Sequence, residues 1–169
     1  LALSEYEEGN LNPIIVRLFN IIGPNQLAEY GMVVPKFIDA AINNNDIFIH
    51  GDGSQSRSFT WVDDVTDYFI RLAEMKAYGE VFNIGQTQEI TIKELAELCA
   101  NEVGHNKEPI FVPGRPQEVK FATCSSDKAK KILGWEAKIK FEELVKEMVK
   151  EDLKTVELEQ ETRRFGIDS

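Results

Sequence analysis

The sequence predicts an α/β fold, and three observations carry that expectation. Short apolar runs rich in β-branched residues, Ile14 to Phe19, Ile47 to His50, Val81 to Ile84 and Ile110 to Val112, have the length and composition of buried strands. Between them lie stretches whose apolar residues return at helical spacing. Clusters of Gly, Pro and Asn separate the two kinds of segment, as turn-forming residues do.

Taken in order, Leu1 onward reads as the tail of a helix. Pro13 to Asn20 is a strand with a polar residue at its C-terminal end, followed by the Gly23-Pro24 turn. A helix is predicted over Val34 to Asn43, with Phe37, Ile38, Ala41 and Ile42 on one stripe and Asn43-Asn44-Asn45-Asp46 as its stop. Ile47 to His50 is a strand, Gly51 to Ser56 a tight polar loop and Ser58 to Val62 a second short strand. Asp63-Asp64 is placed to cap a helix reaching about Met75, with Val65, Phe69, Leu72 and Ala73 inward. Thr91 and Glu94 form a capping box for the next helix, and Gly104 ends it. Ile110 to Val112 runs into Pro113-Gly114-Arg115-Pro116; Ser125 to Leu133 is a short capped helix ending at Gly134. Phe141 opens a long helix with Leu144, Val145 and Met148 inward, and residues 153–169 read as a frayed tail.

At 169 residues, 43% hydrophobic and 28% charged, the chain reads as one globular domain with a core of useful size. No apolar run is long enough to span a bilayer as a helix, so no membrane partner is expected. A net charge of −10 argues against nucleic acid, which needs clustered cations. Cys99 and Cys124 have no metal-ligand spacing, and a reducing cytoplasm is the expected compartment. His50 has no second ligand at a sensible distance, so no metal site is predicted.

Gly51-x-Gly53-x-x-Ser56 has the outline of a dinucleotide fingerprint, but that device needs a helix after the loop, and here a strand follows. The loop reads instead as a glycine-permitted turn that aims Gln55 and Arg57. A guanidinium fork suits two phosphate oxygens, although a plain surface Arg gives the same sequence. Asn20 and Asn83 each bring an amide to the end or middle of an apolar strand, where it either binds a ligand or ties loops together.

Six blocks stand in a telling order: Ile15-Val16-Arg17-Leu18-Phe19-Asn20 with Gly23-Pro24; Val33-Val34-Pro35; Gly51-Asp52-Gly53-Ser54-Gln55-Ser56-Arg57-Ser58-Phe59; Phe82-Asn83-Ile84-Gly85; Gly114-Arg115-Pro116; and Asp127 to Trp135. To about Asp152 the chain resembles the C-terminal half of the extended short-chain dehydrogenase/reductases, the NAD-dependent nucleotide-sugar epimerases and dehydratases. The resemblance implies the last strands of a Rossmann-type parallel sheet joined to a small mixed α+β C-terminal part that binds substrate, with the N-terminal half missing.

It also implies roles. Arg57 contacts the diphosphate, Arg115 reaches the phosphates or ribose, Glu118 binds a ribose hydroxyl, and Asn20 bridges sugar and phosphate. Val34, Phe48, His50, Gln55 and Asn83 complete the substrate side, with Phe48 and His50 flanking the base, while Leu18 and Phe19 lie beside the nicotinamide of NAD. Many members have Asp after the Arg, where this chain has Ser58. The family's catalytic Tyr is followed four residues later by Lys; here Tyr6, Tyr30, Tyr68 and Tyr78 are followed by Asn10, Val34, Leu72 and Phe82, so no catalytic residue is assigned. The expectation is therefore the nucleotide-sugar-binding portion of an epimerase or dehydratase whose parent acts on a UDP-sugar, most simply as a 4-epimerase. By itself this portion would be inactive and would not hold NAD tightly. A stand-alone nucleotide-sugar-binding or interaction module and a non-binding structural remnant remain as alternatives. Strands meant for a larger sheet imply self-association or pairing with an N-terminal half.

Overall fold

The computed structural model describes residues 1–26, 32–116, 119–122 and 124–164. Its elements in chain order are α1 (Ala2–Glu7), β1 (Ile15–Leu18), β2 (Ile21–Ile22), α2 (Val33–Ile42), β3 (Phe48–His50), β4 (Ser56–Arg57), β5 (Thr60–Trp61), α3 (Val62–Glu74), β6 (Val81–Ile84), β7 (Ile90–Thr91), α4 (Ile92–Val103), β8 (Ile110–Val112), β9 (Phe121–Ala122), α5 (Asp127–Leu133) and α6 (Phe141–Arg164). Where composition reads as one domain, these residues gather into two compact units. The first takes Leu1–Ile22, Arg57–Glu89 and the described part of Ala122–Ile139; the second takes the described residues between Gly23 and Ser56, between Ile90 and Phe121, and from Lys140 onward. Among the described residues no helix is long and apolar enough to cross a membrane.

In the first unit β1 and β6 run parallel, with Ile15 opposite Val81 and Leu18 opposite Ile84. β2 and β5 form a second parallel pair, Ile21 opposite Thr60. Phe82 and Ile84 face a core shared with Val65, Tyr68 and Leu72 of α3, Ala129 of α5, and Trp135. Asn83, between them, points to the other face of the strand, which is why an amide is tolerated in an apolar run.

Two expectations about α3 are corrected here. Its inward stripe is Val65, Tyr68 and Leu72, and Phe69 is 43% exposed. The helix is rotated by about one residue relative to the simplest apolar reading, because the Tyr68 ring packs on Trp135, 6.1 Å between centroids and tilted by 60°. Nor do Asp63 and Asp64 cap it. Trp61 is the N-cap residue and gives no side-chain cap. Asp63 Oδ2 accepts the Trp61 indole N–H at 3.1 Å. Asp64 Oδ2 accepts the backbone N–H groups of Lys138 and Ile139 at 2.9 and 3.3 Å, while its carbonyl accepts Trp135 Nε1–H at 2.8 Å. Asp64 thus straps the segment after α5 onto α3.

In the second unit β3 and β8 are parallel, Phe48 opposite Ile110 and His50 opposite Val112. A three-stranded sheet has the order β7-β4-β9. Helices α2, α4 and α6 pack together over Phe37, Ile38, Ile49, Leu95, Cys99, Leu144, Val145 and Met148, all buried. The capping box forms as the sequence predicts: Glu94 N–H donates to Thr91 Oγ1 at 3.1 Å and Thr91 N–H to Glu94 Oε2 at 3.0 Å. Gly104 closes α4 with φ 75°, the left-handed conformation glycine adopts without strain. Cys99 and Cys124 are free thiols, and burial pushes Cys99 up to about 12. Short strand β9 had no visible signal in the sequence, and α6 continues as helix to Arg164, past Leu153.

Asp152 of α6 is half-buried, and burial, followed by the nearby charges of Asp39 on α2 and of Glu151, raises its carboxyl to about 6. A carboxyl raised in the folded state stabilises the fold when protonated, and that contribution is lost as pH rises from about 4 through 6. Asp152→Asn is therefore expected to stabilise the protein near pH 7 by about 1 kcal/mol after allowance for solvent screening. Thermal melts of the variant and the parent chain, converging near pH 4, check this.

Candidate functional site

The predicted site residues fall in both units. In the first, they gather at the C-terminal end of β1. Leu18 is half exposed there, and Phe19 is half-buried. Phe19 N–H continues the ladder to Ile84 O at 3.0 Å. The chain then turns at Asn20, whose φ of 42° lies in the left-handed region that Asn tolerates better than most residues. Asn20 Nδ2 donates to Ser58 O at 2.9 Å, and Thr60 N–H donates to Asn20 O at 3.0 Å. The Thr60 hydroxyl donates to Phe19 O at 3.1 Å and accepts Gln86 N–H at 2.8 Å. Asn20 keeps its second amide hydrogen and its Oδ1, so it can still both donate to and accept from a ligand.

Asn83 reaches Ser125 O only at 3.5 Å, a long contact that leaves its amide weakly committed. Arg57 is half-buried on β4. Ser58, beside it, is 1% exposed and its hydroxyl has no partner among the described residues. Gly85 is required by packing: a Cβ there would lie 2.8 Å from Phe19 Cβ and 3.0 Å from Cys124 Cβ.

In the second unit the glycine turn is held by the start of α4. Ile92 N–H donates to Gln55 O at 3.0 Å and Lys93 N–H to Gly53 O at 3.1 Å. The loop thus presents carbonyls to a helix N-terminus, satisfying two donors that would otherwise be orphaned. A phosphate cradle needs N–H groups, so these carbonyls do not suit one. Gly53 has φ 75°, and a Cβ there would meet Lys93 Cβ at 3.0 Å. Gln55 is buried, and its Nε2 donates to His50 O at 2.8 Å, closing the base of the loop.

Gly51 N–H donates to Val112 O at 2.9 Å, and the backbones of Gly51 and Gly114 approach closely. Arg115 follows, exposed and with no hydrogen bond or ion pair among the described residues. His50 Nδ1 lies 3.2 Å from Pro113 O; a carbonyl only accepts, so Nδ1 carries the hydrogen. Phe48 is 52% exposed and sits beside Ile110, 42% exposed, on the same sheet face, which leaves an apolar patch next to His50. Val34 is fully buried in α2 and presents no side chain to solvent. Glu118 lies outside the described residues. Thr60 and Asp64, which hold these segments together, gave no sequence signal beyond a Thr and an Asp beside a strand end and a helix start.

The GDP-mannose 4,6 dehydratase family model matches residues 2–148. The chain belongs to that family. With it comes membership of the extended short-chain dehydrogenase/reductases that act as nucleotide-sugar epimerases and dehydratases. A UDP-glucuronic acid decarboxylase of Arabidopsis thaliana is 32% identical over 89% of the chain and 34% of the relative. A UDP-glucose 4-epimerase of Thermotoga maritima, solved with UDP-glucose, aligns with TM-score 0.82 and 36% identity over 90% of this chain and 49% of that one. A dTDP-glucose 4,6-dehydratase of Bacillus anthracis, solved with NAD, aligns with TM-score 0.82 and 28% identity over 92% and 49%. The chain therefore spans about a third to a half of the length of these family members.

Within the first unit the turn at Asn20 should depend on Thr60 and not on Ser58. Thr60→Val removes a donor and an acceptor from two backbone groups and is expected to cost about 2–3 kcal/mol. Ser58→Ala removes a hydroxyl that bonds to nothing in the described structure and is expected to stay within about 0.5 kcal/mol of the parent. Urea titration of both variants measures the difference.

Proposed function

We propose that this chain is the nucleotide-sugar-binding portion of a family enzyme and that its ligand is a UDP-sugar. The observation that carries the reading is the 36% identity, over 90% of the chain, to an epimerase solved with UDP-glucose. Arg115, with no committed partner among the described residues, and Arg57 supply guanidinium groups for the diphosphate. Asn20 serves the sugar and phosphate with its free N–H and Oδ1, and Asn83 assists. Phe48 and His50 offer a half-exposed apolar and aromatic face to the base. Glu118 takes a ribose hydroxyl, while Val34 and Gln55 act from beneath by shaping the walls.

For NAD the residues present fit one side only. Leu18 and Phe19 form an apolar wall suited to a nicotinamide ring, but the glycine turn, with its carbonyls on α4, does not fit a pyrophosphate. NAD supplies hydride chemistry to family enzymes; this chain by itself is expected to be inactive and to bind NAD weakly. The parent reaction is a UDP-sugar 4-epimerisation in the first reading. The 32% identity over 89% of the chain to a UDP-glucuronic acid decarboxylase favours decarboxylation as a second. A cytoplasmic setting and self-association through β1 and β6 complete the proposal.

Calorimetric titration with UDP, UDP-glucose and NAD tests it. UDP and UDP-glucose should bind, NAD should not, and Arg57→Ala should weaken UDP by at least about tenfold. Absence of any heat with the UDP compounds rejects the reading in favour of a remnant that binds nothing, and equal affinity in the variant rejects Arg57 as a diphosphate ligand.

A further inference from the structure

We propose that His50 selects the base: its Nε2 accepts the ring N–H of an imide, so the site takes uracil or thymine and turns cytosine away. The inference rests on the reading of this chain as a nucleotide-sugar binder and adds to it the atom that tells one pyrimidine from another. Every residue it uses belongs to the second unit.

The surface comes first. Parallel register sets Phe48 opposite Ile110 and His50 opposite Val112, and alternate residues of a strand share a face. The four side chains therefore stand on one side of the β3–β8 pair. Phe48 and Ile110 are half exposed there, whereas Ile49, on the other side, is wholly buried. An apolar surface with an aromatic ring suits the flat face of a base, and every base has such a face. Stacking alone thus gives no choice among bases, and the choice falls to a polar atom beside the ring.

His50 is the polar side chain among the four. Its backbone is pinned on both sides: His50 O accepts Gln55 Nε2–H at 2.8 Å, and Gly51 N–H donates to Val112 O at 2.9 Å. Its ring is tied to the exit of β8, where Nδ1 donates to Pro113 O at 3.2 Å. In the neutral imidazole that bond keeps the hydrogen on Nδ1, so Nε2 holds a lone pair and can only accept. Nε2 has no hydrogen-bond partner among the described residues and is not shut off from solvent. N3 of uracil and of thymine carries a hydrogen. N3 of cytosine, presented the same way, carries a lone pair that would meet another lone pair. A site built on a hydrogen bond rejects the analogue without the donor, because polar atoms are then left unpaired.

Calorimetric titration of the chain with UDP, CDP and 3-methyl-UDP, which replaces the N3 hydrogen by a methyl group, tests this. UDP should bind at least about tenfold more tightly than either of the others. In His50→Phe, which keeps a ring on the surface but has no acceptor, that preference should vanish. Imidazole nitrogen spectra give a second readout. The chain has two His residues, so the ring signals lost in His50→Phe belong to His50. Its Nε2 signal should show the lone-pair form in the unliganded protein and should move with UDP towards that of a hydrogen-bonded nitrogen. Equal affinity for the three nucleotides, an undiminished preference in His50→Phe, or a hydrogen on Nε2 in the unliganded neutral ring overturns the proposal and leaves the nucleotide-sugar reading standing. Failure of UDP to bind at all overturns both.

Discussion

One buried hydroxyl organises the first unit. Thr60 Oγ1 donates to the carbonyl of Phe19 and accepts the N–H of Gln86. It thereby joins the end of β1, the short strand β5 and the chain leaving β6. A parallel pair of strands has no hairpin to hold its ends in register, so that role falls to side chains at the strand ends. Thr60 is 0% exposed, and both its bonds are to backbone groups of half-buried residues. The left-handed turn at Asn20, and with it the direction of the Asn20 amide, follows from this arrangement.

The second unit solves a related problem with glycine. The N-terminus of α4 needs acceptors for its first N–H groups. Thr91 serves one through the capping box, and the carbonyls of Gly53 and Gln55 serve two more. A φ of 75° and the approach of Lys93 Cβ, 3.0 Å from where a Cβ would stand, favour glycine at position 53. A loop that resembles a phosphate cradle in outline is thus consumed by helix capping. The same loop sets His50, Gly51 and the Gly114-Arg115 segment side by side.

An acidic chain is compatible with anionic ligands when cations are local. Much of the net charge of −10 lies in carboxylates on exposed helix faces, such as Glu142 and Glu143 of α6. These are solvated and screened within about a Debye length. The exposed Arg115 has no ion pair among the described residues. Free guanidinium groups, more than total charge, decide where an anion can settle.

Local patterns determined much of this protein. Helical spacing marked α2, α4 and α6, β-branched runs marked β1, β3, β6 and β8, and Thr91, Glu94, Gly104 and Gly134 marked helix ends, because these signals act within a few residues. The six ordered blocks led to the family without a structure. Tertiary structure decided the rest. Which face of α3 turns inward depended on Trp135, about seventy residues away in sequence. Asp63 and Asp64 look like caps in one dimension, yet Asp64 holds the segment after α5 because its acceptor meets the N–H groups of Lys138 and Ile139 only in the folded chain. β9 is too short to leave a period. Burial and hydrogen bonding are properties of neighbours in space, so the commitment of Gln55 and the openness of Arg115 among the described residues could be learned only from the fold.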